Sequence, residues 1–282
     1  MLCSIFRSLS RRSWVAGAAL AILAGAGIAR ADKSPYSFVY EVDATSHFIS
    51  YGADVWGGGK EISPFSPRST VFASETTTVA LADNLSLYLN IWSDNNDNVH
   101  SGLGGDIQEI DVNTGATYTW DKLSFTLAHG FWNYAGSQEK VVDFTVAFND
   151  GDMITHSSVI ALNPSLNLHY RYEGNGGQEA GLAAVLGVAP SYTFLADQKY
   201  PITVAVPLSV AFFTDNFQGG DSGYGYFSGG VTGSVPLAFI PEKYGAWSAS
   251  VNVTYYNTPD SAIPNNPREN FVTSMLSLKA AF

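Results

Sequence analysis

Acidic side chains recur at alternate positions in several segments, and they are the residues with the clearest capacity for chemistry. Alternate side chains of an extended strand point to the same face, so these acids would line one side of a sheet. Rings of carboxylates on an inner wall favour the passage of cations. The predicted inward-facing residues are Asp54, Glu75, Glu109, Asp111, Asp143, Glu179, His169, Arg171 and Lys279.

Two interpretations of these charges stay open from the sequence. In the first, they form a constricted, mostly acidic path for cations or polar neutral solutes. In the second, Arg171 and Lys279 pair with acids and plug the interior, because buried charges are normally paired. The sequence does not reveal which faces meet, so it does not choose between the two.

The segment that begins at Asp94 has a partial likeness to a calcium-binding loop. Asp94, Asn96 and Asn98 have the spacing of the first ligands, but Val99 and Gly105 stand where glycine and glutamate are expected. We therefore interpret this segment as a solvated external loop and predict no metal site.

Histidine and glycine patterns give no catalytic or nucleotide-binding motif. The five histidines have no paired spacing, and neither a nucleophile elbow nor a phosphate-binding loop is present. His129 or His169 with a neighbouring serine could imitate the Ser–His pair of a lipid-hydrolysing barrel enzyme. Without supporting spacing, we predict no catalytic residue and no cofactor.

The first 31 residues are typical of a cleaved signal peptide. Arg7, Arg11 and Arg12 precede a short apolar run, and Ala29-Arg30-Ala31 is a small-x-small cleavage site. The prediction is a leader over residues 1–31 and a single domain over residues 32–282. Cleavage would also remove Cys3, which leaves no thiol for a disulfide or a metal.

The composition excludes some classes of partner. Only 14% of the residues are charged, 13% are aromatic, and the formal net charge is −11. A soluble domain normally carries about a quarter charged residues, so a different surface is indicated. An acidic chain without a basic patch is a poor nucleic-acid binder.

Alternation with period two is the dominant pattern that must position the charged residues. Clear cases lie over 85–92, 109–120, 142–148, 162–172, 202–212, 247–255 and 272–282, with weaker strands near 46–56, 70–81, 123–133, 179–188 and 224–239. Twelve strands result, within a range of ten to fourteen, and an even number is usual for bacterial single-chain barrels.

The connections alternate in length, as an up-and-down barrel requires. Long external loops are predicted at 57–68, 94–105, 134–140, 173–178, 214–222 and 257–268, and tight turns at 82–84 and 121–122. Connections near 149–160 and 189–200 are longer than this rule prefers, which suggests an extra turn or an extension of a strand. An all-β chain in lipid must close, because every backbone polar group needs a partner.

These observations predict an all-β protein with a closed antiparallel transmembrane β-barrel in the bacterial outer membrane. The alternative is a soluble all-β periplasmic protein, which would normally carry more lysine and glutamate on its surface. The chain ends in phase with its last strand at Phe282, an outward aromatic that resembles the signal recognised by the barrel-assembly machinery.

The middle and C-terminal parts resemble the TorF-type porins, a poorly characterised family of bacterial outer-membrane barrels. The resemblance rests on Leu123–Tyr134 with its Phe-Trp-Asn-Tyr end, on Asp143, on Asn163-Pro164-Ser165 and on Phe282. Two positions depart from the family pattern, which often has Arg-Gly where Tyr51-Gly52 stands and glutamate in place of Asp143. The resemblance implies a barrel with a porin role and no defined substrate.

The sequence therefore favours passive diffusion of small hydrophilic solutes or ions through a barrel surrounded by outer-membrane lipid. One alternative is a closed structural barrel whose outer loops bind partners, and another is a barrel enzyme acting on lipid. Inward polar residues favour a pore, whereas inward Tyr88, Trp92, Trp132 and Tyr226 favour closure. The oligomeric state is left open.

Overall fold

The computed structural model describes residues 34–134, 136–150, 160–174 and 179–282. The predicted leader over residues 1–31 lies outside the described residues. Among those that are described, no helix is long and apolar enough to cross a bilayer. The regular structure consists of strands and one short 3-10 turn at Glu242–Tyr244.

The strands follow one another with mostly short connections. They are β1 (Tyr36–Thr45), β2 (Ile49–Ser50), β3 (Ala53–Asp54), β4 (Thr70–Ala82), β5 (Leu85–Asn95), β6 (Ile107–Trp120), β7 (Leu123–Tyr134), β8 (Ser137–Phe148), β9 (Ser165–Glu173), β10 (Gly181–Val188), β11 (Ser191–Phe194), β12 (Ile202–Ala205), β13 (Leu208–Phe213), β14 (Gly223–Pro236), β15 (Ala246–Asn257) and β16 (Asn270–Ala281).

Antiparallel pairing between sequence neighbours closes the sheet into a barrel of twelve strands, as the sequence predicted. Strand β16 pairs with both β15 and β1, and β1 continues to β4. Segments β10 and β11 form one barrel strand, and β12 and β13 form another. Each of these strands is interrupted at a proline, Pro190 or Pro207, because proline has no N–H to donate to the ladder.

The connections separate into two ends. Among the described residues, the loop end carries 46–69, 96–106, 136, 174, 179–180, 214–222 and 258–269, and the turn end carries 83–84, 121–122, 149–150, 160–164, 195–201 and 237–245. The predicted strand extension is present near residue 191, because β11 continues the barrel strand and Ser191 bridges to Ala161. The predicted loop 134–140 is too long, because β7 ends at Tyr134 and β8 begins at Ser137.

The first predicted strand, over residues 46–56, is wrong. The first barrel strand is β1, and residues 49–54 form a separate hairpin of β2 and β3 that pairs only with itself. Its turn places Tyr51 at φ 46° and Gly52 at φ 81°, both left-handed, as a two-residue hairpin turn of type I′ requires. The hairpin lies inside the barrel, at the loop end.

A small hydrophobic core lies inside the loop end of the barrel. It joins wall residues to loop residues: Ala183, Ala211, Phe213 and Tyr226 from the wall, and Phe217, Ala262 and Ile263 from two loops. Tyr51 and Ala53 of the hairpin pack against this cluster. Hairpin and loop residues therefore pack against the wall inside the barrel. We name them the loop plug: the hairpin 49–54 with Phe217, Gln218, Ala262, Ile263 and Asn266.

Candidate functional site

Four acids gather on the inner wall near the loop end. Strand β6 contributes Glu109 and Asp111, and the register sets Glu109 opposite Asp94 of β5. Glu139 of β8 lies opposite Trp132, which in turn pairs with Asp111. All four side chains are buried, and one carboxylate oxygen of Asp111 has no hydrogen-bond partner among the described residues. This wall is strongly acidic.

Arg171 brings a fixed positive charge to this wall. Its Nε lies 3.1 Å from Oε1 of Glu139, and both side chains are almost fully buried. The guanidinium also donates to the backbone oxygen of Phe217 at 2.5 Å and stacks over the Phe217 ring at 4.4 Å. Arg171 thereby ties the barrel wall to the loop plug.

Asp143 and His169 form a second pair, one strand apart. Their register sets them directly opposite, and Nδ1 of His169 lies 3.0 Å from a carboxylate oxygen of Asp143. The imidazole lies between the rings of Tyr51 and Trp132, with centroid distances of 4.2 and 5.3 Å. Burial and the nearby Asp143 raise the pKa of the Tyr51 hydroxyl well above its usual value.

Asp54 faces the interior from the hairpin and not from a barrel strand. Its carboxylate lies 3.0 Å from Nδ1 of His47, and its amide donates to Asn266 at 2.8 Å. The second ring nitrogen of His47 bonds the backbone oxygen of Glu61. Burial disfavours the charged imidazole, but Asp54 and Glu61 outweigh it and raise the pKa of His47.

The inner wall toward the turn end carries fewer charges and many hydroxyls. Lys279 lies opposite Glu41, and nearer the loop end Asp43 lies opposite Ser277. The other inward residues form cross-strand hydrogen bonds between small polar side chains. Examples are Thr117 with Thr126, Ser209 with Ser228, Asn252 with Thr232 and Asn167 with Thr145.

Two of the predicted inward residues lie elsewhere. Glu75 of β4 is opposite Tyr40 and Ile91, both of which are exposed on the outer face, so Glu75 faces outward. The sequence did not predict the face on which Glu75 lies, because β4 has polar or small residues on both faces. Glu179 precedes β10 in an exposed loop, where Asn216 donates to it at 3.4 Å.

Several inward charged residues were not predicted from the sequence. Glu41 and Asp43 lie on β1, which the predicted first strand missed, although Tyr36, Phe38, Tyr40 and Val42 alternate with them. Glu139 was assigned to the predicted loop 134–140, but it lies on β8. Asp94 is buried at the end of β5, where it accepts hydrogen bonds from Trp56, Thr70 and Asn96, so the solvated-loop interpretation of this residue is wrong.

Hydrogen bonds fix the loop plug in the lumen. Gln218 donates to the backbone oxygen of Ser50 at 2.9 Å, and Asn266 donates to that of Gly52 at 2.8 Å. A Cβ on Gly52 would lie within 3 Å of Tyr226 and Ile263, so the tip of the hairpin is held closely. The plug narrows the loop end, whereas the turn-end half keeps its small polar lining.

The predicted alternative of a Ser–His pair can be compared with the contacts of the two histidines named for it. His169 bonds Asp143, and Nε2 of His129 lies 2.6 Å from the hydroxyl of Tyr172 on the outer face. Neither partner is a serine. Among the described residues, no group of three or more His, Asp or Glu side chains is placed to hold a metal ion.

The outer face of the barrel is apolar. Alternate residues such as Val42, Leu89, Ile91, Val251 and Leu278 are exposed outward, next to aromatic residues near both ends. An apolar belt with aromatic girdles around a closed barrel is covered by lipid. The barrel therefore spans the bacterial outer membrane.

Comparison with known proteins adds likeness in overall fold. The NanC porin has 7% identity and a TM-score of 0.46 over 87% of this chain and 98% of that one. The KdgM porin, solved in complex with disordered oligogalacturonate, has 10% identity and a TM-score of 0.43 over 87% of this chain and 99% of that one. LpxR from Salmonella typhimurium has 9% identity and a TM-score of 0.45 over 86% of this chain and 99% of that one.

At these identities and scores, none of the three assigns a role to a residue of this chain. No protein-family model matches the chain, and no curated protein matches its sequence.

Proposed function

We propose that the protein is a porin-like channel that passes small hydrophilic solutes or ions and prefers cations. The observation that carries this proposal is the inner wall. Hydroxyls and amides line much of this wall, and its acids, most of them in the loop-end half, outnumber Arg171 and Lys279. Such a wall replaces the hydration of a polar solute and lowers the energy of a cation inside it.

The loop plug sets the state of the proposed channel. Inward loops occupy the loop end, and their contacts are hydrogen bonds and a small apolar cluster. A barrel with this arrangement would conduct weakly until the plug shifts. The open and plugged interpretations of the sequence then correspond to two states of one lumen.

Single-channel recording in a planar bilayer tests the proposal. The mature protein, from Asp32 onward, is compared with a Gln218→Ala, Asn266→Ala variant that lacks two donors to the hairpin. We expect small or rare steps from the unaltered protein and larger or more frequent steps from the variant, with a cation-selective reversal potential. Folded variant barrels without any conductance would refute a channel.

A closed barrel whose loops bind a partner is the second candidate, and the buried core shared by hairpin and loops favours it. Silence of both proteins in the bilayer experiment would support this candidate. Capture of surface molecules by the unaltered protein, and not by a variant lacking residues 214–222, would then identify the binding loops.

We further propose transport in place of catalysis, membership of the TorF-type porins, removal of residues 1–31, and recognition of Phe282 by the barrel-assembly machinery. Transport in place of catalysis would be contradicted if the purified barrel released fatty acids from outer-membrane lipid and lost this activity in His129→Ala. The N-terminal sequence of the protein isolated from outer membranes tests the cleavage after Ala31.

A further inference from the structure

Two ionisable side chains face lipid in the middle of the apolar belt. Glu75 on β4 lies outward between Tyr40 and Ile91, and the hydroxyl of Thr77 donates to it at 3.3 Å. His129 on β7 also lies outward, opposite Thr114 and Val142. Charged groups at this depth are costly in hydrocarbon, and they usually mark a functional contact.

The two residues lie on adjoining rows of the outer face. One row of paired residues links Tyr40, Glu75, Ile91, Val112 and Phe131, and the next links Phe38, Thr77, Leu89, Thr114 and His129. Barrel strands are tilted, so a row rises along the barrel axis from strand to strand. This rise over three strands exceeds the step of one row, so His129 lies roughly 5 Å nearer the loop end than Glu75, an offset within the reach of the two side chains.

The surface between them carries apolar side chains and a groove. Leu89 and Ile91 of β5 lie on this surface, with 41% and 45% of their surfaces exposed. Beside them lies a groove of about 440 Å³, lined by Leu87, Thr114, Leu127, His129 and Val142 among others. The groove therefore extends from Leu87 of β5 to Val142 of β8 and includes the histidine.

We propose that this face, made by β4 to β7, is the interface between two copies of the chain. A two-fold axis along the membrane normal, opposite Leu89 and Thr114, would bring Glu75 of each copy to His129 of the other. The same rotation would place Leu89 and Ile91 of each copy against the groove of its partner. A two-fold interface repeats each contact twice, so one acid and one histidine give two complementary pairs.

The partner copy is favoured over lipid by charge complementarity. A carboxylate and an imidazole on one face cannot reach each other across the two intervening strands. In the two-fold pair the carboxylate gains a ring N–H donor from the imidazole, and both groups leave hydrocarbon. Nε2 of His129 is already bonded to Tyr172, which leaves Nδ1 for the incoming carboxylate.

Cysteine cross-linking of the full protein in membranes tests the interface, since the single native cysteine is Cys3 in the predicted leader. Thr114→Cys places a thiol near the axis, and we expect oxidation to trap a dimer. The matched control is Val231→Cys on β14, an outward and 53% exposed position across the barrel. Equal cross-linking at both positions, or none at Thr114→Cys, would overturn the proposal.

Charge variants in the Thr114→Cys background test the pairing itself. Glu75→His and His129→Glu each place like groups together, and we expect each to weaken the dimer about tenfold, as loss of a charge-assisted contact would. Combining the two changes should restore cross-linking, because the swap recreates both pairs across the axis. Dimer formation that is indifferent to both single changes would overturn the proposed pairing.

Discussion

Asp111 and Glu109 are the residues through which the proposed cation preference is most directly tested. They lie on one face of β6, next to Asp94 and Glu139, and Arg171 offsets only part of this charge. We expect the Glu109→Gln, Asp111→Asn variant to shift the reversal potential in a salt gradient toward zero, because a cation would lose two attractive charges. An unchanged reversal potential would exclude these acids from the selectivity of the channel.

Loss of the Glu139 carboxylate should lower the stability of the barrel strongly. Glu139→Gln would leave Arg171 buried without its counter-charge, and breaking such a pair costs about 3–5 kcal/mol. Urea unfolding of the barrel in detergent measures the loss. The control is Glu173→Gln, which removes the exposed 2.7 Å pair with Lys140 and should cost less than about 1 kcal/mol. Equal losses would contradict the assigned burial.

The hairpin 49–54 is the element whose position decides whether the lumen is narrow. Gly52→Ala adds a Cβ at positive φ and within 3 Å of Tyr226 and Ile263, so we expect a loosened plug and more frequent conductance steps. Gly57→Ala is the control, because it has φ 63° but nothing within 4 Å of the added Cβ. The same change in conductance from both variants would assign the effect to backbone strain alone.

Docking of the same hairpin should depend on pH through His47. Because the folded-state pKa of His47 is raised, its stabilising contribution is full below the ordinary value of 6.5 and is lost as pH rises through the raised value. Hydrogen exchange of residues 49–54, corrected for intrinsic rates, should therefore speed up above that range. Asp54→Asn should flatten the dependence, and an unaltered dependence in this variant would point to another group.

The whole barrel depends on its last strand for closure and, in our proposal, for insertion. The backbone of Phe282 exchanges two hydrogen bonds with Phe38, at 2.9 and 3.1 Å, while its ring faces outward. Phe282→Ala keeps the backbone pairing, so we expect less protein in the outer membrane but unchanged stability of the inserted fraction. Fractionation measures the first and urea unfolding the second, and normal insertion would contradict a signal role.

The sequence by itself determined the barrel, the number of strands and the outward face of most of them. Period-two alternation is a local property, so Leu85 to Ile91 or Val142 to Phe148 reveal their faces without knowledge of any partner. Alternation failed to predict the outward face of β4, because Ser74 to Thr78 are polar or small throughout and do not distinguish the two faces. It also placed Asp143, His169 and Arg171 on one inward face.

Only the tertiary structure decided which charges meet and what fills the lumen. Arg171 pairs with Glu139 and stacks on Phe217, and His169 packs on Tyr51, across sequence separations that no local pattern encodes. Residues 46–56 have enough alternation for a strand, yet they fold inward as a hairpin. The positive φ values of Tyr51 and Gly52 turn the chain back, and Phe217, Ile263 and Asn266 hold it there. Loop packing of this kind depends on distant residues, and that is why it appears only in the folded chain.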